Sequence, residues 1–267
     1  MELPDLRFEM VVDSGRARGS LTNVMALHDG TADLTTGLSD VAYAAYTGRL
    51  GDGKRFDQLR GVAVLELTPL HIVVRGDAPI HGVEDLRGRS INAGSRAGGT
   101  PITAERVLGA MGLSRTDVSL EWLMFTPAAE RLIAGSLDAM FVTQGYPAES
   151  VLAATRAGAR LLGLTEREIQ RLRIDYPFLR AALIPAGTYP GQRHAVRTLG
   201  IDTLLMCRAG MDDAVVYALT KGLFAALPRL STRVEALRDL DLDRAAAVPI
   251  PLHPGAAQYY REREIAR

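Results

Sequence analysis

Short apolar runs alternate with amphipathic stretches along most of the chain. Strand-like runs such as Phe8–Val12 and Asp138–Val142 are each followed by a polar turn and then by a segment with helical periodicity. The clearest helix is predicted to open on Pro101, with Thr100 as its capping residue, and to stop at Gly112; its apolar positions have the spacing of one helical face: Ala104, Val107, Leu108 and Met111. This alternation predicts an α/β fold with largely parallel sheets.

The length of 267 residues is comfortable for two lobes. The strand candidates Arg60–Leu67 and His71–Arg75 are divided by Thr68-Pro69, and the character of the chain changes after the second of them. We expect His71–Arg75 and Ala181–Tyr189 to be the crossings between lobes. Lobe 1 is therefore predicted to comprise residues 1–74 and 190–267, and lobe 2 residues 75–189.

Composition excludes several functional classes. The 31 basic and 31 acidic residues balance, so there is no basic excess of the kind that nucleic acid or an anionic membrane attracts. No run approaches the roughly 18 apolar residues that would cross a bilayer. The single cysteine, Cys207, excludes an internal disulfide and is predicted to be buried in a strand. The five histidines share no metal-ligand spacing, so no metal is expected. No cofactor is expected either.

The segment Gly94–Thr100 is the strongest local candidate for a binding site. It follows a predicted strand and opens a helix, so glycine backbone and unsatisfied helical N–H groups would face an anionic head group there. The spacing is neither that of a nucleotide P-loop nor G-x-G-x-x-G. A tight strand–helix turn that binds no ligand is the alternative. The candidate ligand-binding residues of this loop are Ser95, Arg96, Gly98, Gly99 and Thr100.

Three further polar openings follow predicted strands. They contain Ser20 with Asn23, Ser39 beside Asp40, and Thr143 with Gly145. Ordinary helix capping explains the serines equally well. Open α/β sheets nevertheless bind ligands beyond the carboxyl ends of their strands, so all four openings are candidates for a ligand site.

Catalytic interpretations find little support. G-x-S-x-G and H-E-x-x-H are absent, and the acid pairs at Asp212-Asp213 and Glu166/Glu168 fit helix N-termini. His253 lies between prolines, which favours a turn-forming role. We therefore expect a binding protein and not an enzyme. The alternative is an enzyme on the same scaffold, for which only Arg96 and Asp40 offer charged groups near the site.

Motifs along the whole chain resemble those of one family, the TAXI-type solute receptors of TRAP (tripartite ATP-independent periplasmic) transporters. The matching segments occur in the family's order: Gly19-Ser…Asn23, Asp85–Gly88, Gly94–Thr100, Ala129-Glu…Ala139, Gly145-Tyr-Pro147, Ile184–Tyr189 and Pro251–Ala256 with Tyr259-Tyr260. The resemblance implies a type II periplasmic-binding-protein fold, with two α/β lobes joined by hinge strands around a central cleft. It adds Tyr189 to the candidate ligand-binding residues.

The same resemblance implies a function. A monomeric receptor in the periplasm would capture a small carboxylate or amino acid, similar to glutamate or glutamine, by closing its lobes, and would deliver it to a TRAP permease. Closure requires only that the ligand contact both lobes more fully in the closed state.

Two departures from that family pattern bear on these expectations. Gly98 stands where the family usually has serine, which removes one hydroxyl. The N-terminus has no signal-peptide pattern, and a first strand–loop–helix unit is expected to be missing. A truncated relative or a sensor domain without a transport role is therefore a further alternative.

Overall fold

The fold is described from a computed structural model, which describes residues 19–51, 53–232, 240 and 242–263. The predicted strand Phe8–Val12 and the rest of the N-terminal segment before Gly19 lie outside these residues. Within the described part, helices and strands alternate in the order α1 (Ser20–His28), β1 (Leu34–Leu38), α2 (Ser39–Thr47), β2 (Leu59–Val74), β3 (Ser90–Asn92), α3 (Thr100–Ala110), β4 (Ser119–Glu121), α4 (Phe125–Ile133), β5 (Ala139–Thr143), α5 (Glu149–Arg156), β6 (Arg160–Leu162), α6 (Glu166–Asp175), β7 (Arg180–Ile184), β8 (Val196–Arg208), α7 (Asp213–Leu230), α8 (Leu242–Ala245) and α9 (Pro254–Glu262).

The chain divides into two compact units. Unit 1 comprises residues 1–66 and 204–267, and unit 2 comprises residues 67–203. The chain leaves unit 1 within β2 and returns to it within β8. The lobes predicted from the sequence, residues 1–74 with 190–267 and residues 75–189, remain a prediction.

Unit 2 contains a mixed sheet. β3 pairs parallel with both β4 and β5, whereas β2 pairs antiparallel with β5 and with β6. β7 and β8 are also antiparallel, so the largely parallel sheets predicted from the alternating pattern are wrong. The alternating pattern indicates which segments form strands, but it does not show whether neighbouring strands run parallel or antiparallel. The residues Leu70–Val74 of β2 are all buried, as expected for a strand covered on both faces.

β2 is one strand of 16 residues, and Thr68-Pro69 does not divide it as predicted. Proline fixes φ at a value that extended backbone accepts, and it costs a strand only where the missing N–H would have donated. Pro69 lies directly before Leu70, the residue at which pairing with β5 begins.

The core of unit 1 is built around α7 and α9. Phe224 stacks on Tyr259 with ring centroids 5.5 Å apart, and the hydroxyl of Tyr260 donates to the Val62 carbonyl at 2.9 Å. Cys207 is buried in β8 as predicted, and burial raises the pKa of its thiol to about 12. His253 caps α9 by accepting from the Gly255 N–H at 3.2 Å, which confirms its structural role in the turn.

Candidate functional site

The glycine loop, residues 94–100, lies at the carboxyl end of β3 in unit 2. Gly94 has φ +88°, and a Cβ at this position would stand 2.7 Å from Cβ of Thr100. Only glycine therefore allows the chain to turn here with Thr100 so close. The Gly98 N–H donates to the Ser95 carbonyl at 2.8 Å and closes the loop on itself.

Helix α3 begins at the end of this loop. Its N-cap is Gly99, so Thr100 is the first helical residue and not the capping residue that the sequence indicated. The Gly99 carbonyl accepts from Ile102 N at 3.0 Å and from Thr103 N at 3.2 Å. Pro101 has no N–H, and those two N–H groups already donate to Gly99, so the N–H that the first turn can offer to a ligand is that of Thr100. No acidic side chain occupies this turn, and the end of α3 therefore presents one donor and positive potential to an anion.

Thr100 and Thr143 bring two of the four predicted openings together. Their Oγ1 atoms are 2.6 Å apart, although 43 residues separate them in the chain. Two hydroxyls that share one hydrogen bond keep one hydrogen for another acceptor. Thr143 ends β5 and is half-buried, and the exposed Gly145 follows it.

Arg96 extends from the glycine loop over an aromatic ring. Its guanidinium carbon lies 3.5 Å from the ring centroid of Trp122, the only tryptophan in the sequence. The guanidinium is exposed and the indole is half-buried. The sequence reasoning included Arg96 but missed Trp122. The signal that could have found Trp122 is its place directly after the strand β4.

Tyr189, also predicted to bind ligand, is 2% exposed and fully engaged inside unit 2. Its hydroxyl accepts from the Ala148 N–H at 2.9 Å and lies 2.8 Å from Nε2 of His71. Nδ1 of His71 lies 3.3 Å from the Val142 carbonyl, so a neutral ring protonated on Nδ1 satisfies every bond in the chain. Burial lowers the pKa of His71 to about 4, which keeps the ring neutral. Tyr189 thus fixes the start of α5 rather than offering a free hydroxyl.

The remaining candidates, Ser20, Asn23 and Ser39, lie in unit 1. Ser20 and Ser39 are first residues of helices whose N-caps are Gly19 and Leu38, so neither serine caps its helix as the sequence indicated. The Ser20 hydroxyl accepts from the Leu38 N–H at 3.1 Å, and the Asn23 amide donates to the Thr36 carbonyl at 3.0 Å. Ser39 is buried, and its hydroxyl has no hydrogen-bond partner among the described residues.

Among the described residues, no group of three or more His, Cys, Asp or Glu side chains could hold a metal ion. No helix in the described ranges is both long and apolar enough to span a bilayer.

Each unit is built of strands and helices, and the strands pair in both parallel and antiparallel directions. The protein therefore has a periplasmic-binding-protein-like fold, which confirms the predicted fold class. Within that class, the chain belongs to the NMT1-like family, whose model matches residues 7–263. Three solved structures illustrate the similarity. XAC2383 from Xanthomonas citri, bound to ATP, is 15% identical, with 93% of this chain and 81% of that chain covered and a TM-score of 0.54.

The second, CAE31940 from Bordetella bronchiseptica RB50, is 17% identical, with 93% and 69% of the two chains covered and a TM-score of 0.51. The third is the periplasmic aliphatic sulphonate binding protein SsuA from Escherichia coli, at 18% identity and a TM-score of 0.48. This chain is covered over 91% of its residues and spans 66% of that protein, slightly under two thirds.

The family assignment corrects the resemblance on which the sequence reasoning relied. The chain is NMT1-like, so the expected TAXI membership is wrong. The TRAP permease partner and the amino-acid or dicarboxylate ligands that came with that membership lose their basis. The physical reason is that the matching motifs serve the fold itself. Gly94 is required by its backbone angle, and Tyr259 and Tyr260 fill a core, so neither identifies a transporter class.

Proposed function

We propose that this protein is a solute-binding protein that captures a small molecule by its oxyanion group at the glycine loop of unit 2. The observation that carries the proposal is the hydroxyl pair of Thr100 and Thr143, 2.6 Å apart beside the first turn of α3. The pair joins the end of β5 to the start of α3, the helix that follows β3, and β3 and β5 lie side by side in the sheet. Ligands of α/β proteins bind at this kind of edge.

The donors at this edge are of three kinds. The Thr100 N–H lies in the first turn of α3, the hydroxyl pair retains one hydrogen, and the Arg96 guanidinium carries a full positive charge. Several donors at one edge suit an anion with several oxygens, because each oxygen can then accept its own hydrogen bond. An oxyanion such as a sulfonate, with three oxygens, uses more of these donors than a carboxylate with two.

The proposed role places the protein outside the cytoplasmic membrane, where it would pass its solute to a membrane transporter. Binding requires no covalent chemistry, and the fold and family support a binding role. The proposed site needs neither a metal nor a cofactor.

The test is calorimetric titration with butane-1-sulfonate, butylphosphonate and pentanoate, which share a chain and differ in the head group. We expect the sulfonate to bind. The variants Thr100→Val and Thr143→Val should each weaken the affinity for butane-1-sulfonate about tenfold, since a hydrogen bond to a charged group contributes roughly 1.5–3 kcal/mol. Valine keeps the shape of threonine and removes only the hydroxyl.

Thr155→Val is the matched control. Thr155 is also buried in unit 2, but its hydroxyl donates within α5, to the Val151 carbonyl at 2.8 Å. Its removal should leave the affinity unchanged. Binding that is equally strong in all four proteins would exclude the hydroxyl pair from the site, and a protein that prefers pentanoate would refute the preference for three oxygens.

A further inference from the structure

We infer that Trp122 is a positioning residue, which holds the Arg96 guanidinium so that one edge of that group receives the oxyanion of the solute. The inference rests on the proposed function and names the part of the site that selects the head group. The observation behind it is the stacking of Arg96 on Trp122, at 3.5 Å from the guanidinium carbon to the ring centroid.

Trp122 is itself fixed by hydrogen bonds on both sides. The Glu121 carbonyl before it accepts from the Ala93 N–H at 2.9 Å, and the Leu123 N–H after it donates to Oδ1 of Asn92 at 2.7 Å. Asn92 has no exposed surface and ends β3, one residue before the glycine loop. The backbone that carries the indole is therefore anchored to the same strand end that leads to Arg96.

The position of Arg96 calls for an anion. No carboxylate among the described residues forms an ion pair with it, whereas eight of the other arginines there have a carboxylate within 4.0 Å: Arg75, Arg87, Arg89, Arg115, Arg131, Arg180, Arg197 and Arg208. Arg96 also lies four residues before the first residue of α3, near the positive end of that helix, where a cation is unfavourable. An oxyanion bound between the two would neutralise both.

The stack determines which atoms of Arg96 can reach a ligand. An indole against one face leaves the N–H groups at the edge of the planar guanidinium free, and that edge matches two oxygens of one oxyanion. A flat stack also restricts the rotation of a long side chain, so less conformational entropy is lost when the ligand binds. Lysine offers neither the plane nor the paired donors.

The stack can be tested first without any ligand, because Trp122 is the only tryptophan and dominates the fluorescence excited at long wavelength. We expect Arg96→Gln to make this indole more accessible and to raise the acrylamide quenching constant about twofold, by removal of the stacked group. An unchanged quenching constant would show that Arg96 does not cover the ring in solution, and this would overturn the inference whatever the protein binds.

The second test is a double-mutant cycle with butane-1-sulfonate as the probe. We expect Arg96→Gln to weaken binding by about tenfold or more, and Trp122→Leu by about fivefold, because the guanidinium remains but is no longer held. In the Arg96→Gln background, Trp122→Leu should have no further effect. Trp122→Phe should restore most of the affinity, since a phenyl ring also stacks on a guanidinium.

Each result separates the inference from the proposed function. Equal losses from Trp122→Leu in both backgrounds would mean that the indole acts independently of Arg96, and the positioning role would be wrong. Full affinity in the Arg96 and Trp122 variants, with weakened binding in Thr100→Val, would overturn the inference and leave the proposed function standing. Failure of the wild-type protein to bind any of the three head groups would refute both.

Discussion

His71 shows how a single polar residue is accommodated inside unit 2. The ring has no exposed surface, and its two nitrogens lie beside the Tyr189 hydroxyl and the Val142 carbonyl. The Ala148 N–H donates to the Tyr189 oxygen, the Tyr189 hydroxyl can donate to Nε2 of His71, and a hydrogen on Nδ1 of His71 can donate to the Val142 carbonyl. A second proton on the ring would face the Tyr189 hydroxyl without an acceptor oriented toward it, so the native state favours neutral His71.

The titration of His71 predicts how stability depends on pH. Its pKa in the folded protein is lowered to about 4 by burial, against 6.5 when unfolded. The contribution to stability is therefore complete above pH 6.5 and is lost as the pH falls from there toward 4, because the unfolded chain binds the proton first. The free energy of unfolding should fall by about 3 kcal/mol across this window on account of His71.

Urea unfolding at pH 7.0, 5.5 and 4.5 measures this change. The control is His71→Gln, which retains hydrogen-bonding groups and cannot titrate in this range. We expect the variant to be less stable at pH 7 but to lose less stability on acidification. Parallel losses in the two proteins would assign the acid sensitivity to other groups.

At the scale of elements, the turn from β3 into α3 depends on one backbone angle and one close approach. Gly94 combines φ +88° with the 2.7 Å approach that a Cβ would make to Thr100. Gly88 also has a positive φ, +75°, but a Cβ there would meet nothing within 4 Å. A comparison of substitutions at Gly88 and Gly94 therefore separates the energetic cost of a positive φ from the cost of the close approach to Thr100.

Gly88→Ala should lower the free energy of unfolding by about 1–2 kcal/mol, the cost of left-handed backbone for a residue with a Cβ. Gly94→Ala should cost more, by a further 1–3 kcal/mol or so, since Thr100 must move. It should also weaken butane-1-sulfonate binding, whereas Gly88→Ala should not. Thermal unfolding and titration of both variants measure these effects, and equal destabilisation would show that the loop yields to the extra atom.

For the whole molecule, the features that could be predicted from the sequence are those encoded locally. The glycine loop, the buried Cys207 and the turn at His253 each depend on a few adjacent residues, and the structure places them as expected. Contacts between residues that are far apart in the sequence could not be predicted from these local patterns. Tyr189 lies 118 residues from His71, and only the folded structure shows that its hydroxyl is already engaged with that ring.

For the candidate site, too, individual residues could be predicted from local sequence, whereas the contacts between them could not. Thr100 and Thr143 were each proposed from their own surroundings, whereas their contact depends on the pairing of β3 with β5. Trp122 reaches Arg96 because β4 lies beside β3. The directions of the strands, mixed rather than largely parallel, follow from the same long-range pairing and were wrongly predicted.

Since the site proposed here is built wholly from unit 2, ligand binding should be visible as a local change in a map of the whole chain. Hydrogen exchange should slow with butane-1-sulfonate at the amides of residues 98–100, 102 and 143–145, because bound ligand blocks the opening that exchange requires. Amides in the middle of α7, in the aromatic core of unit 1, should show less protection.

Thr100→Val provides the control for this map. The variant should fold normally and lose most of the protection of the glycine loop at a sulfonate concentration equal to the wild-type Kd, where tenfold weaker binding lowers the bound fraction from about one half to about one tenth. Protection that appears elsewhere, with none at residues 98–102, would mean that the solute binds at another place. In that case the Thr100–Thr143 hydrogen bond would serve only to join β5 to the start of α3.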